Sequence, residues 1–420
     1  MKERILRKGK NIVKRTVLIP QYMREFSCIG SACEDTCCSG WQITVDENTY
    51  KKYEGTEDLK ESFLPYLKKF DTGATREHYA EIILRDSDAS CPHLTESKLC
   101  GIHKSMGEKF LSNLCVTYPR VSNIINGNYE KSGTVSCPEV ARLALLNPNG
   151  IIFEEVEESV KERHIIVNQI DTKNLNSSHK VMPYLLDLRK FTIKLLQNRN
   201  YSLSDRLIIL GMLFANIKDH IKTNRVEEIP NQLIQYNHLI ESGLIYERLI
   251  GFPINIRKQL EIGRSLINMR LFSGVKDKRY LQCLMESLEG IRYTNIDLKD
   301  DSIDLYKTAY QNYYQPFMEK YEYILENFLV NYVFKNVFPI KRNVYDDYIL
   351  LITHYTIVKM HLIGMMGYHR EAFNTDHVIK LIQSFSRVVE HAPSELTRFR
   401  KYLKENNYSS LPFMAILIKN

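Results

Sequence analysis

Cys28-Ile29-Gly30-Ser31-Ala32-Cys33-Glu34-Asp35-Thr36-Cys37-Cys38 opens the stretch around which the rest of this chain is organised. Cys91, Cys100, Cys115 and Cys137 follow, so every one of the chain's nine cysteines except Cys283 falls in its first third. Thiols crowded in this way either bridge to one another or hold metal, and the compartment decides between the two. The apolar segment near the N-terminus, Val17-Leu18-Ile19, is too short for the h-region of a signal peptide. No apolar run approaches the roughly 20 residues of a membrane span. The expectation is therefore a cytoplasmic protein without a membrane span. In a reducing compartment a cysteine cluster points to metal or redox chemistry rather than to structural disulfides.

Working outward, the chain of 420 residues is long enough for two or three domains, and an apolar fraction of 44% supports a sizeable core. The net charge of +7 is concentrated in residues 1–24, where Lys2, Arg4, Arg7, Lys8, Lys10, Lys14, Arg15 and Arg24 face Glu3 alone. The rest of the chain is balanced, and nothing in it suggests a nucleic-acid groove. A solvated terminal arm is the plain reading of this segment, and binding of nucleic acid or an acidic partner the functional one.

Short elements dominate the cysteine region. Gly40 to Val45 and Tyr79 to Leu84 read as strands, 47–70 as helical, and Asn126-Gly127 as a two-residue hairpin turn. Pro138 starts a helix that ends at Asn147-Pro148-Asn149-Gly150. Thr172 to Lys180 is polar and linker-like. Beyond it helical periodicity prevails. Leu207, Leu210, Phe214, Ile217 and Ile221 share one face, with Ser204 and Asp205 where a cap is wanted. Tyr306, Tyr310, Tyr313, Phe317, Tyr321, Ile324 and Phe328 do the same, although Pro316 should kink or break that helix. Val344 to Met366 and Val378 to His391 are further helical segments. The predicted fold class is mainly α: a small mixed α+β cysteine-cluster metal domain followed by a large all-helical domain. Its parts are a basic arm (1–24), a cysteine-rich domain (25–156), a linker (157–180) and a helical domain (181–420).

The first cysteine group is Cys-x4-Cys-x3-Cys-Cys, and the second, Cys91 to His103, is Cys-x8-Cys-x2-His. Structural zinc sites favour thiols spaced by two residues, which this chain lacks, though Cys100 and His103 have a spacing zinc can use. Iron–sulfur clusters accept thiolates from scattered loops, so the spacing favours them over zinc, and zinc over redox-active or oxidised thiols. Cys28, Cys33, Cys37, Cys38, Cys91, Cys100, Cys115 and Cys137 are all candidate ligands, and four would suffice for a cubane. His93 and His103 more often pack beside such a centre than ligate it. Cys283, inside a helical pattern, reads as an inert buried thiol. The Cys-x3-Cys-x2-Cys loop of radical S-adenosylmethionine enzymes is absent, and so is a Gly-x-Gly-x-x-Gly nucleotide fingerprint.

The strings CIGSACEDTCCSGW (28–41), CPHLTESKLCGIHKSMGEKFLSNLCVTYPR (91–120) and SCPEVARLALL (136–146) resemble the flagellin lysine-N-methylase family. They also resemble a wider class of iron- or zinc-chelating cysteine domains. ENFLVNYVFKNVFP (326–339) and SFSRVVEH (384–391) look like the same methylase family. His103 stands where the wider class has an aromatic residue, and His93 where it often has phenylalanine. The resemblance implies a methyltransferase that moves a methyl group from S-adenosylmethionine to lysine ε-amines of flagellin and carries a 4Fe-4S cluster, with zinc the alternative metal.

That chemistry asks for a deprotonated amine, an in-line sulfonium, and aromatic faces or carboxylates around the positive charge. Tyr310, Glu326 and Asn331 are candidates for donor binding. Glu390 and His391 are a candidate acid/base pair. Each has a plainer reading, as an aromatic seam between helices or as a capping or solvated residue. The competing functions are a non-enzymatic metal-binding or assembly protein and an iron–sulfur oxidoreductase.

Overall fold

The computed structural model describes residues 14–159, 163, 165–173, 180–293, 300–341 and 343–420. Most of the basic arm and the centre of the 172–180 linker lie outside the described residues. The strands are β1 (Lys14–Pro20), β2 (Thr44–Val45), β3 (Leu67–Lys69), β4 (Ala80–Ile82), β5 (Arg120–Ile125), β6 (Asn128–Gly133), β7 (Phe153–Ser159) and β8 (Ile166–Ile170). The fold is mainly α, as expected, and among the described residues the strands lie within the first 170.

Two sheets divide these strands. The larger runs β7-β1-β6-β5-β8, and the smaller β2-β4-β3. The β5–β6 hairpin turns at Asn126 and Gly127, whose φ of 53° and 81° are the positive pair that a two-residue turn of this hand requires. β1 lies antiparallel to the acidic β7, so Arg15 meets Glu158 at 2.8 Å and Lys14 meets Glu157 at 3.2 Å. The last charges of the basic arm are thereby answered within the sheet. β8 closes the other edge, pairing parallel with β5. The boundary expected at 156/157 thus lies within β7, and that at 24/25 in the short helix Tyr22–Glu25 that follows β1.

The cysteine region has a core of its own, with Ile43, Val45, Tyr53, Phe63, Ile82 and Ile102 packed around the small sheet. The predicted helical stretch 47–70 splits into helices Glu47–Glu54 and Glu57–Ser62, interrupted at Gly55, and ends in β3. Helix Pro138–Leu145 joins the other, larger core, which it shares with the helical domain.

That larger core is built round helix Val344–His369, whose residues are buried without interruption from Val344 to Met366. A helix apolar on every face belongs inside a bundle. By length and composition it is the one described helix that could cross a bilayer, contrary to the expectation of no such run, and it lies wholly within the protein. Helix Lys278–Gly290 crosses it so closely that a Cβ on Gly290 would sit 1.9 Å from the Gly364 carbonyl oxygen. A Cβ on Gly364 would sit 2.3 Å from that of Ser287.

The tyrosine segment runs as helix Asp300–Ala309, a π-helical turn at Tyr310–Tyr314 and helix Gln315–Lys335. The π turn precedes Pro316, so the irregularity expected of that proline is taken up as a wide turn rather than a break. Helix Leu203–Lys222 is capped by Ser202, whose Oγ accepts from the Asp205 N–H at 3.1 Å. The cap therefore stands just before Leu203, not at Ser204 as its position in the pattern suggested.

The cysteine region and the bundle meet at helix Thr375–Glu390. Its Arg387 is 3% exposed and donates to the Asp35 carboxylate and the Thr36 carbonyl, in the loop that leads into Cys37. Asp277 stands 3.8 Å from the same guanidinium. Gln383, one turn earlier, donates to Asp35 at 2.8 Å and to the Ser136 carbonyl at 2.9 Å.

Two stability predictions follow from these close contacts. Gly290→Ala has no side-chain end to push aside, only the backbone of Gly364 and Tyr368, and should cost about 3 kcal/mol or more in chemical denaturation. Gly251→Ala, whose Cβ meets nothing within 4 Å, is the control and should leave the midpoint in place. Arg387→Met strands a buried carboxylate and should cost about 3–5 kcal/mol, part of which Asp35→Asn should restore in the same background. A midpoint unmoved by Arg387→Met would show that the junction does not hold the two regions together.

Candidate functional site

The cysteines gather through backbone pairing. The Cys91 N–H donates to the Cys38 carbonyl at 2.7 Å, and Ser39 bridges to Ser90, which brings the first group against the second. A second bridge, Leu94 to Cys100, folds the Cys91–Cys100 loop back on itself. Cys100 stands at the start of helix Gly101–Met106, and Cys115 lies in helix Asn113–Thr117, where the Ser112 cap accepts from its N–H at 3.2 Å.

The sulfur atoms of Cys37 and Cys38 are 3.9 Å apart. A hydrogen bond from Cys38 pulls the Cys37 thiol down to about 7, and the Arg387 guanidinium adds to the pull. The Cys38 thiol is pushed up by the same bond and by burial. Burial raises Cys91 to about 11 and Cys115 to about 12, and raises Cys100 as well. Charge on one of these thiols is felt by the others: Cys37, Cys91 and Cys115 at Cys38, and Cys37 and Cys100 at both Cys91 and Cys115. Cys28 and Cys33 act in the same way on Cys137. None is in a disulfide.

Among the described residues no cluster of three or more Cys, His, Asp or Glu is closed enough to hold a metal ion. The donor chemistry nevertheless fits a thiolate-held metal group. Cys37, Cys38, Cys91, Cys100 and Cys115 would supply soft ligands from three segments, and binding would have to displace the protons that burial now favours. His93 packs edge-on against Phe63 at 4.4 Å, within 3.3 Å of the Ser62 carbonyl. His103 is exposed on its helix. Cys283 is fully buried in the bundle core.

Trp41 packs beside this group, donating to the Cys37 carbonyl at 3.0 Å and stacking on His391 at 4.7 Å. His391 also meets the Ser136 hydroxyl at 2.8 Å, and burial holds its imidazole down to about 4. Glu390 pairs with the buried Lys335. The two residues expected to act as an acid/base pair are thus each engaged with a different partner at the seam.

A second constellation lies in the bundle. A cavity of about 460 Å³ opens between the start of helix Leu203–Lys222, the π turn and the middle of helix Val344–His369. Tyr310 lines it, stacked on Tyr314 at 5.5 Å, with Tyr355 on another wall. Asp205, Glu319 and Glu322 contribute carboxylates. Glu322 is held in place by Arg206 at 2.6 Å and by the Leu203 N–H at 3.1 Å. Lys359 reaches the same cavity from the core helix.

Of the residues expected to bind a methyl donor, Tyr310 therefore faces a cavity. Glu326 sits just behind its wall, 1% exposed, accepting from Arg199 at 2.9 Å and Arg206 at 2.7 Å. Asn331 is committed elsewhere, accepting from the Tyr22 hydroxyl at 2.5 Å and donating to the Gly133 carbonyl at 3.1 Å. Tyr306 points into the core, donating to Gln259 at 3.0 Å, so the tyrosine stripe is part helix seam and part cavity wall. Sequence reasoning passed over Tyr355, Lys359 and the carboxylates. The available signal was a lysine inside an apolar helical run.

Comparison with known proteins bears on the whole length of the chain. The family profile of the FliB lysine N-methylase C-terminal domain matches residues 189–417, which include most of the cavity's lining. The chain is 25% identical over 411 residues to the lysine-N-methylase of Salmonella typhimurium, covering 93% of this chain and 95% of that protein. It is 35% identical over 159 residues to the flagellar biosynthetic protein FliU of Salmonella muenchen, covering 37% of this chain and 90% of that protein. No solved structure matches. With more than half of its length under that profile, the chain belongs to the FliB lysine N-methylase family.

Proposed function

We propose that the protein transfers the methyl group of S-adenosylmethionine to lysine ε-amines of flagellin, and that the transfer takes place in the tyrosine-walled cavity of the helical domain. The observation that carries this reading is the lining itself. Tyr310, Tyr314 and Tyr355 offer π faces, and Asp205, Glu319 and Glu322 offer negative charge. Both the sulfonium of the donor and the ammonium of an incoming lysine are cations, which aromatic faces and carboxylates stabilise. Flagellin as the acceptor is supported by the flagellar designation of the FliU relative.

Within the cavity the stacked Tyr310 and Tyr314 would hold the sulfonium, and Glu322, fixed by Arg206 and the Leu203 N–H, would receive a polar edge of the donor. Asp205 and Glu319 stand where they would draw the acceptor ammonium in. Holding amine and sulfonium in line is the larger part of the acceleration such a displacement needs.

The cysteine group is proposed to hold an iron–sulfur cluster with a chiefly structural role. When bound, that group would supply a rigid thiolate-linked cross-link between short elements, and its binding energy would become folding energy. The cysteines lie outside the cavity lining, and a ligated thiolate is a poor base. A polar displacement in the helical domain is therefore the simpler chemistry.

The test uses anaerobically purified full-length protein, flagellin and labelled S-adenosylmethionine. Methyl-lysine with S-adenosylhomocysteine as co-product is expected. Release of 5′-deoxyadenosine coupled to methylation would overturn the polar route. Tyr310→Ala should weaken donor binding by about tenfold in calorimetry while leaving the unfolding midpoint in place. The same preparation should be brown and contain iron and acid-labile sulfide, and a colourless protein with stoichiometric zinc would overturn the cluster. Serine at Cys91 or Cys115 should lower soluble yield and helical content together, and a folded but inactive variant would refute the structural role.

A further inference from the structure

The amine of Lys359 is the unexplained group of the cavity. Its side chain is 2% exposed, on the core helix, and it reaches the cavity wall. It donates to the Ile418 carbonyl at 2.6 Å and to the Asn420 side-chain oxygen. Its nearest ring is Tyr355, with the nitrogen 5.6 Å from the centroid. Among the described residues it makes no ion pair, although charged groups face it across the cavity. Asp205 comes from helix Leu203–Lys222, Glu319 and Glu322 from helix Gln315–Lys335, Lys419 from the C-terminal segment and Arg199 from the turn before helix Leu203–Lys222.

Resting on the assignment of this cavity to donor and acceptor, we propose that Lys359 is the proton acceptor of the methyl transfer, taking the proton from the ammonium of the substrate lysine. Two oxygen acceptors match the two N–H groups of an uncharged amine, which leaves the lone pair as the nitrogen's unengaged position. Burial holds this amine down to about 7, so the uncharged form is present under ordinary conditions.

The alternatives in the cavity are poorer. A carboxylate is intrinsically a far weaker base than an amine, and so a poorer match to a lysine ammonium near 10.4 than an amine near 7. The phenols cannot serve, because burial pushes Tyr310, Tyr314 and Tyr355 up and keeps them protonated. The step balances in atoms and charge. An N–H bond of the substrate ammonium breaks and one forms at the Lys359 nitrogen. The freed lone pair attacks the S-methyl carbon as the S–CH3 bond breaks, leaving a neutral thioether. The Lys359 ammonium, still accepted by Ile418 and Asn420, returns its proton to solvent through the cavity mouth.

The experiment measures single-turnover methyl transfer to flagellin from pH 6 to pH 10 with the full-length protein, alongside donor binding by calorimetry. Wild type should gain rate as pH rises through about 7, where Lys359 loses its proton, and then level off. Lys359→Met and Lys359→Gln should both lose about a hundredfold near pH 7 with donor affinity retained. Their deficit should close toward pH 10, where the substrate amine deprotonates unaided. Glutamine keeps an N–H donor for the Ile418 carbonyl, so a purely structural lysine would be replaced by it without loss. Wild-type rate in Lys359→Gln, or a deficit that is the same at every pH, overturns the proposal. Tyr310→Ala separates the two readings. If it weakens donor binding while Lys359→Gln turns over normally, only the proton acceptor falls. If it leaves donor binding intact, the cavity assignment falls and Lys359 with it.

Discussion

A guanidinium with almost no access to water holds this molecule together. Arg387 comes from the bundle, and its partners Asp35 and the Thr36 carbonyl come from the loop that carries Cys37 and Cys38. Taking both charges out of water costs several kcal/mol for each ion, which only close pairing and full hydrogen bonding can offset. The pair therefore tolerates one relative placement of the two regions. Gln383 adds a donor to Asp35, Asp277 brings a second carboxylate to 3.8 Å from the guanidinium, and Trp41 on His391 seals the seam beside it. The same cation pulls on the Cys37 thiol, so the charge state of the cysteine group and the seating of helix Thr375–Glu390 are coupled through one side chain. A cluster that fixed thiolates there would tighten the junction, and its loss would loosen it.

Farther into the bundle the same principle recurs with less generous partners. Glu326 is answered by two arginines, and Asn327 and Asn331 by backbone carbonyls, so helix Gln315–Lys335 is riveted to helix Pro138–Leu145 and to β6. Lys359 has only two neutral oxygens. A fold that pairs its buried carboxylate at Glu326 with two arginines, yet gives this buried amine no ion pair among the described residues, favours the uncharged amine and lowers its pKa to about 7. This contrast, more than any single distance, sets the proposed proton acceptor apart from the paired polar groups of the bundle.

How much of this was legible in the sequence depends on the range of the forces involved. The Asn126-Gly127 turn, the proline-started helix at Pro138 and the long helices follow from local backbone preference and apolar periodicity, and they stand where expected. The pairing of β1 with β7 and of β5 with β8 joins residues far apart in the chain, and no local pattern announced it. Glu326 and Asn331 looked available because polar residues about one turn apart in an apolar helical stretch are visible in the sequence. Their partners Arg199, Arg206, Tyr22 and Gly133 come from elsewhere in the chain and are not. The cysteine set was legible as a set, but the Cys38–Cys91 backbone bond that joins its first two segments, and the seat of Cys137 at the start of a bundle helix, were not.

Tyr310 belongs to both worlds. Periodicity put it on an aromatic stripe, and most of that stripe is indeed packing surface. The π turn at Tyr310–Tyr314 widens the helix there, stacks two tyrosines and brings both to the cavity wall. A regular α-helix would keep the stripe on one face along its whole length, against the core. The wide turn, together with a proline that cannot donate a hydrogen bond, lets a packing helix spare two rings for the cavity wall without unwinding. The cavity is thus made by a local irregularity in otherwise regular packing, facing a lysine that the regular packing has stripped of water.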